Sequence, residues 1–383
     1  MTDSQADDFT APGLSVRLRL RLREMASPFL RPETQFPAVT VLVLAMFLIW
    51  GREALLADAA RLFLRLGSIF SAASLVAALV VALGWIICRR LARGRRISFR
   101  LIARALFPRW LLRSASNGSD IGFFLLNHTV SGALIAWALI SHDAVIRWVQ
   151  AALPALFGTP GNSLDPLAGK VILTVAVFLA YEFAYWLDHY LAHRVPVLWE
   201  FHRVHHTAET LTPLTGARVH PVSTVVFYNI TAVTVGLVHG TVSYAMGLPD
   251  DSFALGGSNL LVVVFIFATF HLQHSHVWIS FTGIWGRLFA SPAHHQIHHS
   301  RDPAHYGKNL GAGLALWDWL FGTLYIPSKT REKLVFGVAE AGEHPHSFTG
   351  SVLTPFKRGF AALAGMLPIP ARRALGEPAV GGD

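Results

Sequence analysis

Long apolar runs alternate with short basic or histidine-rich segments along this chain. The runs cover residues 36–50, 66–88, 121–142, 171–187, 221–249 and 252–286. Only one charged residue, Glu182, interrupts them. A helix needs about 17 to 25 apolar residues to cross a bilayer. The run at residues 36–50 reaches that length if it extends at either end. The runs at 221–249 and 252–286 are typical of a helical hairpin with its turn at "GLPDDS". The pattern therefore predicts an all-α fold, a polytopic integral membrane helical bundle.

The composition favours the same class of protein. Apolar residues make up 53% of the chain and charged residues 14%, well below the roughly 25% charged residues of soluble domains. The single cysteine, Cys88, excludes an intramolecular disulfide and a cysteine-based metal cluster. Any metal chemistry must therefore use His, Asp or Glu.

The formal charge of +9 is concentrated in a few segments. Residues 89–113, "RRLARGRRISFRLIARALFPRWLLR", hold nine arginines and no acid directly after an apolar run. Such a cluster is typical of a cytoplasmic segment held near anionic lipid. No recognised nucleic-acid motif accompanies it, so we expect no nucleic-acid partner.

The arginine cluster also predicts the orientation of the spans. With residues 89–113 in the cytoplasm, the third span leaves the cytoplasm and the fourth returns to it. The hairpin then goes out and back. The N-terminal tail and three histidine-rich segments, at residues 189–206, 271–276 and 294–299, are therefore all expected on the cytoplasmic side of a multi-pass protein.

The histidines recur with helical spacing. "DHYLAHRVPVLWEFHRVHH" holds an H-x-x-x-H pair and then H-x-x-H-H, and "SPAHHQIHHS" repeats H-x-x-H-H about ninety residues later. Residues three and four apart lie on one face of a helix, so each box presents several imidazoles together. The boxes comprise His189, His193, His202, His205, His206, His295, His298 and His299, while His294 points off its face.

Eight imidazoles exceed the three or four that one tetrahedral zinc ion takes, so the boxes predict two metal ions. Imidazole suits zinc, copper, iron and nickel alike. A zinc protease is disfavoured because Tyr190 stands where its H-E-x-x-H motif needs Glu. Redox metals at a membrane surface would allow dioxygen to attack an unactivated C–H bond, which no side chain can do.

The run "YEFAYWLDHYLAHRVPVLWEFHRVHHTAE", then "ARVHP", "LQHS" and "SPAHHQIHHSRDPAHYGKNLGAGLALWDWLFGTLYIP", resembles the fatty acid hydroxylase and sterol desaturase family of membrane di-iron enzymes. The resemblance implies an O2-dependent monooxygenase or desaturase that acts on a lipid. It also implies two non-haem iron ions and an external electron donor of the cytochrome or ferredoxin type. The implied domains are a basic tail at 1–35, transmembrane helices at 36–165, a catalytic domain at 166–327 and a C-terminal tail at 328–383, either interfacial or loose.

The resemblance also extends the set of site residues. It adds His274 of "LQHS" to the eight box histidines as a metal ligand, and His220 of "RVHP" as a further candidate. Asn309 and Asp318 match positions that support the ligands, and Glu182, seven residues before His189 on the same helix face, is expected to orient a ligand.

Two alternatives stay open at this point. A histidine-rich membrane metal transporter or metal-binding protein would need polar residues along several spans, and the first three hold almost none. A bis-histidine haem protein needs one histidine on each side of the haem, so it does not require the adjacent "HH" pairs. Neither the lipid substrate nor the choice between hydroxylation and desaturation follows from these residues.

Overall fold

The computed structural model describes residues 56–131, 136–160, 164–247, 252–338 and 346–366, with positions 41, 45, 51 and 53. These residues are mostly helical, which confirms the all-α prediction. The predicted tail at 1–35 and nearly all of the first predicted span lie outside the described residues.

The helices range from 3 to 29 residues in length. They are α1 (Ala72–Leu91), α2 (Phe99–Leu106), α3 (Arg109–Leu112), α4 (Ser116–Leu125), α5 (His142–Phe157), α6 (Pro166–Arg194), α7 (Pro196–His206), α8 (Pro221–Met246), α9 (Leu260–Phe265), α10 (His271–Gln273), α11 (Gly283–Leu288), α12 (Pro292–His298), α13 (Leu316–Leu320) and α14 (Phe348–Met366). The π and 3-10 turns are Leu126–Ser131, Ala136–Ala138, Pro213–Ala217, Ile266–Phe270 and Pro303–His305. Two short strands, β1 (Ala254–Leu255) and β2 (Ser258–Asn259), pair antiparallel with Ala254 opposite Asn259.

Among the described residues, α1, α6 and α8 are long and apolar enough to cross a membrane. Their outer faces expose large apolar side chains, such as Val80 of α1 and Ile172 of α6. Exposed apolar surface of this extent is stable only against lipid or a partner. The chain is therefore a membrane protein, as predicted.

Two predicted spans differ from the structure. Residues 121–142 do not form one α-helix, because α4 ends at Leu125 and the described residues 139–141 are not helical. Residues 252–286 hold only 14 consecutive helical residues, Leu260–Gln273. At about 1.5 Å per residue they extend roughly 21 Å, less than the ~30 Å apolar core of a bilayer. The second arm of the predicted hairpin is thus a half-length helix that ends inside the protein.

The packing of α8 against α5 depends on two glycines one turn apart. A Cβ at Gly236 would lie 2.7 Å from the Cβ of Val145, and one at Gly240 would lie 2.8 Å from the Cβ of Val149. Small residues at i and i+4 let membrane helices approach closely. Helix α8 also packs along α6, which carries the first histidine box.

A sharp corner joins the first two boxes. The residue before Pro196 cannot easily be helical, and Val195 is extended, with φ −94° and ψ 114°. Helix α6 therefore ends at Arg194, and α7 begins at once in a new direction. The C-terminal helix α14 packs on α7 through Phe356 and Phe201, whose ring centroids are 5.3 Å apart. This part of the predicted C-terminal tail is therefore an ordered helix.

A buried ion pair joins α4 to the end of α7. The side chains of Arg218 and Asp120 are 0% exposed, and their N–O distance is 3.2 Å. Arg218 also donates to the carbonyl of Val204 at 3.0 Å and to the hydroxyl of Thr207 at 2.7 Å. Asp120 in turn accepts from Thr215 at 2.7 Å. Arg218 thus holds the backbone at Val204, inside the second histidine box, and the side chain of Thr207 directly after the box.

Arg218→Met tests the importance of this pair. Removing one partner leaves a buried charge uncompensated, so we expect the free energy of unfolding to fall by about 3–5 kcal/mol. Chemical unfolding of the purified protein in detergent measures the change. The matched control is Arg61→Met, which removes the exposed ion pair with Asp58 and should cost less than about 1 kcal/mol. Equal effects of the two substitutions would contradict a structural role for Arg218.

Candidate metal centre

Nine histidines converge in two groups at the end of α6. Each group has all its potential ligand nitrogens within 4.8 Å of one another. The first group contains His189, His193, His202, His206 and His298, and the second contains His205, His274, His295 and His299. These nine are the eight box histidines and His274.

The two groups divide the boxes between them. Residues four apart share a group, as His202 and His206 do, while the residue at i+3, His205, turns to the other group. The third box divides in the same way, with His298 in the first group and His295 and His299 in the second. The groups adjoin, since the ring centroids of His206 and His299 are 4.6 Å apart.

The nitrogen positions fit a metal ion better than hydrogen bonds. In the second group, Nε2 of His274 lies 2.9 Å from Nε2 of His295, 3.1 Å from that of His205 and 3.2 Å from that of His299. A neutral imidazole carries a single N–H, so these contacts cannot all be hydrogen bonds. Two nitrogens bound at right angles, each about 2.1 Å from a metal, would be roughly 3.0 Å apart.

The first group gives the same result. Nε2 of His206 lies 3.2 Å from that of His202 and 3.1 Å from that of His298. Nε2 of His189 and of His193 are buried with no hydrogen-bond partner among the described residues. Unpaired buried nitrogens are costly, and a metal ion would satisfy both.

Burial keeps the ligands in the form that binds metal. Desolvation lowers the pKa of His205 to about 3, and it lowers the pKa of His298 and of His299 well below the ordinary value. The neighbouring imidazoles lower these values further. These rings are therefore neutral at physiological pH, as metal coordination requires.

A loop of residues 308–314, the 308–314 loop, orients two of the ligands. Nδ1 of His189 donates to the carbonyl of Leu310 at 2.8 Å, and Nδ1 of His298 donates to the carbonyl of Lys308 at 2.9 Å. Each bond fixes the tautomer and the ring angle, and it leaves Nε2 free for a metal.

Asp318 fixes the middle of the loop. Its carboxylate accepts from the backbone N–H groups of Leu310 and Gly311, both at 2.8 Å. Burial raises the pKa of Asp318 to about 6 even though these donors and Thr323 oppose the shift.

Asn309 and Glu182 fix the two ends of the loop. Asn309 adopts a left-handed φ of 57° and donates to the carbonyl of His294 at 3.1 Å. Glu182 accepts from Gly313 and Leu314 at 2.8 and 2.7 Å. Glu182 thus acts on the loop and not on a histidine directly, unlike the expected contact.

Three histidines close in sequence to the ligand candidates, His220, His271 and His294, lie outside both groups. The candidate ligand His220 caps α8 instead, because its Nδ1 accepts from Val222 at 3.2 Å and its Nε2 donates to the carbonyl of Val352 at 3.0 Å. Both of its nitrogens are therefore hydrogen-bonded, and His220 is not part of either histidine group. His294 bonds Ser291 and Gly286, and His271 bonds the carbonyl of Ile69.

A largely apolar cavity of about 340 Å³ reaches both groups from the membrane helices. His189 and His202 of the first group and His205 and His274 of the second lie in its wall. The rest of the wall includes Ile69, Phe70, Leu139, Tyr181, Tyr185, Asp188, Phe227, Tyr228 and Phe270. Asp188 is not among the site residues predicted from the sequence, although Tyr181, Tyr185 and Asp188 follow an i, i+4, i+7 pattern at the end of an apolar span.

A second cavity, of about 400 Å³, reaches the ligands from another direction and is strongly basic. Arg194, Arg203 and Arg301 contribute to its wall, together with Trp199, whose ring centroid is 5.1 Å from that of His193. The metal groups are therefore accessible through one apolar and one basic cavity.

Comparisons with known proteins show which proteins this chain is similar to. Residues 174–323 match the fatty acid hydroxylase family model. The chain is 29% identical to the ornithine lipid hydroxylase of Rhizobium tropici over 251 residues, which cover 65% of this chain and 69% of that protein. It is 28% identical to the alkylglycerol monooxygenases of Homo sapiens and Xenopus tropicalis over 167 and 169 residues.

Those residues are 43% and 42% of this chain and 32% of each monooxygenase, so the chain spans about a third of the length of these animal relatives. No solved structure gives a significant match.

Removing one ligand from either group should remove one metal ion. For His274→Ala and for His298→Ala, we expect the iron content to fall from about two atoms per chain to about one. Elemental analysis of protein purified after iron loading measures it. His142→Gln, on partly exposed α5, is the control and should keep the full content. Full iron content in both alanine variants would contradict the proposed ligand set.

Asp318→Asn should weaken metal binding without removing a ligand. The change disturbs the bonds to Leu310 and Gly311 and so loosens the 308–314 loop. Loss of such supporting contacts typically lowers metal affinity about 10- to 100-fold. Competition with a chelator measures the affinity. Asp302→Asn, an exposed helix-capping acid nearby, should leave it unchanged, and equal affinity in both variants would contradict this role of the loop.

Proposed function

Since residues 174–323 match the fatty acid hydroxylase family model, we propose that this chain is a membrane di-iron monooxygenase that hydroxylates a lipid with O2. One observation carries the proposal: two adjoining histidine groups border the same apolar cavity between membrane helices. A lipid in that cavity would meet both groups.

Nine neutral imidazoles suit two iron ions. The five histidines of the first group would hold one ion and the four of the second group the other. When bound, the irons would supply the reduction of O2 and the attack on an unactivated C–H bond. Overall, R–H, O2, two electrons and two protons give R–OH and water. The electrons come from an external donor of the cytochrome or ferredoxin type.

The protein itself would position the substrate and exclude water from the cavity. The apolar wall at Phe70, Phe227 and Phe270 excludes water from the carbon to be oxidised. Holding the substrate in one pose beside the ligands selects one C–H bond, because a fixed geometry replaces a random encounter. The loop contacts keep the ligand rings from turning while substrate enters.

The basic cavity offers a separate approach for the electron donor. Arg194 and Arg301 in its wall would attract an acidic protein surface, which speeds encounter more than it adds affinity. Trp199 lines this cavity beside His193 and His206 of the first histidine group. With the arginine-rich residues 89–113 in the cytoplasm, this side of the protein and the histidine boxes would also face the cytoplasm.

The relatives favour hydroxylation over desaturation. One is named an ornithine lipid hydroxylase and others are named alkylglycerol monooxygenases. Both names describe oxidation of a lipid with a polar headgroup. We propose a substrate of this kind for the present chain.

The transporter hypothesis is weaker in this structure. A transporter needs polar groups along its spans to carry an ion across the bilayer. Helix α8 contains no charged residue, and α1 contains none before Arg89. All nine convergent histidines lie beyond the apolar half of α6, which suits a catalytic cap and not a path through the membrane.

Lipid profiles of cells with and without the gene test the proposal. We expect a lipid that gains one oxygen atom only when the wild-type protein is expressed, because hydroxylation adds one oxygen to the substrate. Mass spectrometry of extracted lipids detects it. His205→Ala should abolish the product, and His142→Gln should keep it. A product that appears equally with His205→Ala, or a profile unchanged by the wild-type gene, would sink the proposal.

A further inference from the structure

Two tyrosine hydroxyls on α6 face the apolar cavity without a partner in the described part of the protein. Tyr181 and Tyr185 both lie in the cavity wall and are half-buried. Neither hydroxyl forms a hydrogen bond with a described residue, and neither oxygen is fully buried. By contrast, Asn127 in the same wall donates to the carbonyls of Ala217 and Val219 at 3.0 and 2.8 Å. The two tyrosines therefore offer hydrogen-bond donors to a molecule in the cavity.

Packing fixes the direction of both tyrosine rings. Phe227 of α8 contacts them edge to face, with centroid distances of 6.5 Å to Tyr181 and 5.7 Å to Tyr185. The ring of Tyr185 also lies edge to face against that of His189, at 5.8 Å. Aromatic pairs in this geometry attract each other. The rings are therefore held in place before a ligand enters, which lowers the entropy cost of binding it.

The two tyrosines and the first metal-ligand candidate lie along nearly the same face of α6. Positions 181, 185 and 189 are related as i, i+4 and i+8, so their side chains follow one another along the helix. With a rise of about 1.5 Å per residue, Tyr185 lies about 6 Å and Tyr181 about 12 Å from His189 along the helix axis. A substrate atom held by the tyrosines would therefore determine which carbon reaches the histidine groups.

The chemistry of the cavity wall limits the group that the tyrosines can bind. A hydrocarbon segment beside the two hydroxyls would leave them unpaired in an apolar space, which is unfavourable. A phosphate or a carboxylate would meet no lysine or arginine in this wall among the described residues. An uncharged oxygen accepts a hydrogen bond from a phenol hydroxyl without needing a cation. The carbonyl of an acyl linkage and the oxygen of an ether both meet this condition.

From these observations, and resting on the proposed function, we propose that Tyr181 and Tyr185 donate hydrogen bonds to an uncharged oxygen of the lipid substrate. They are positioning residues. The bonded oxygen fixes the lipid along α6, and the carbon at the matching distance from that oxygen reaches the histidine groups. The position of hydroxylation is therefore set by its distance from this oxygen and not by its distance from the methyl end of the chain.

The position of the new hydroxyl group tests the proposal in cells. Wild-type protein should place it at one distance from the nearest lipid oxygen in chains of different length. The double variant Tyr181→Phe, Tyr185→Phe keeps both rings and removes both donors. We therefore expect its product to spread over neighbouring carbons and to fall about 5- to 10-fold in amount. Tandem mass spectrometry of extracted lipids measures both quantities.

Tyr244→Phe is the matched control for this experiment. It removes a hydroxyl on the same helix as Phe227, but that hydroxyl donates to the carbonyl of Gly158 at 2.6 Å and does not line the cavity. This variant should keep the wild-type position and amount of product. Iron content and the thermal unfolding midpoint are measured for every variant.

An infrared measurement separates this proposal from the proposed function. The probe is methyl hexadecanoate with a 13C carbonyl, bound to full-length iron-loaded protein in nanodiscs without a reductant. A carbonyl that accepts a hydrogen bond absorbs at lower frequency. Wild-type protein should therefore give an additional, lower-frequency 13C band that the double variant lacks. This result would support the role of the tyrosines even if no lipid were oxidised, an outcome that would overturn only the proposed function.

Competition against the labelled ester identifies the kind of oxygen that is held. The competitors are the unlabelled ester, hexadecyl methyl ether and an alkane of equal chain length. The competitor that carries the preferred oxygen should displace the probe from wild-type protein at a lower concentration than the alkane does. The double variant should lose this difference.

Three results would overturn the proposal. The first is a double variant that keeps the wild-type position and amount of product. The second is a 13C spectrum that is the same for wild type and double variant, or an ester and an ether that both compete no better than the alkane. The third is a double variant whose product and iron content fall together while the hydroxyl position stays the same, since that would give the tyrosines a purely structural role.

Discussion

Nine imidazole rings that must stay neutral, buried and correctly rotated are the constraint on which this structure depends. No single element can present them, so they come from α6, α7, the end of α10 and α12. The corner at Val195 brings α7 back across the end of α6. The half-length helix Leu260–Gln273 ends beside the second group and places His274 there. A full-length span would have carried that residue past the site.

The supporting contacts form two layers around the rings. On one side, Glu182, Asn309 and Asp318 hold the 308–314 loop, whose carbonyls orient His189 and His298. On the other side, the buried pair of Arg218 and Asp120 holds the backbone beside His205. Glu182, Asn309 and Asp318 are buried and hydrogen-bond to backbone groups. That backbone in turn positions the histidine ligands. Asp188, in contrast, lies in the wall of the apolar cavity.

The helical class and eight of the nine convergent histidines could be predicted from local periodicity, and His274 was predicted from the family resemblance. Spacing of three and four residues places rings on one face, yet it could not predict that His205 and His206 separate into different groups, since neighbouring positions differ by about 100° around a helix. Hydropathy also overestimated the length of the span at residues 252–286, because the residues that flank the shorter helix Leu260–Gln273 are apolar as well. His220 resembled a ligand by motif, but only tertiary contacts show that both its nitrogens are occupied. Arg218 and Asp120 are 98 residues apart, and no local pattern connects them.

The central claim is that the two histidine groups hold metals which place an oxygen atom from O2 into a lipid within the adjoining cavity. Isotope labelling tests it most directly. Iron-loaded protein in nanodiscs, supplied with a reductant, a lipid substrate and 18O2, should give a product lipid that contains one 18O atom per turnover. A product whose new oxygen comes from water, or one that loses two hydrogens and gains no oxygen, would contradict the account.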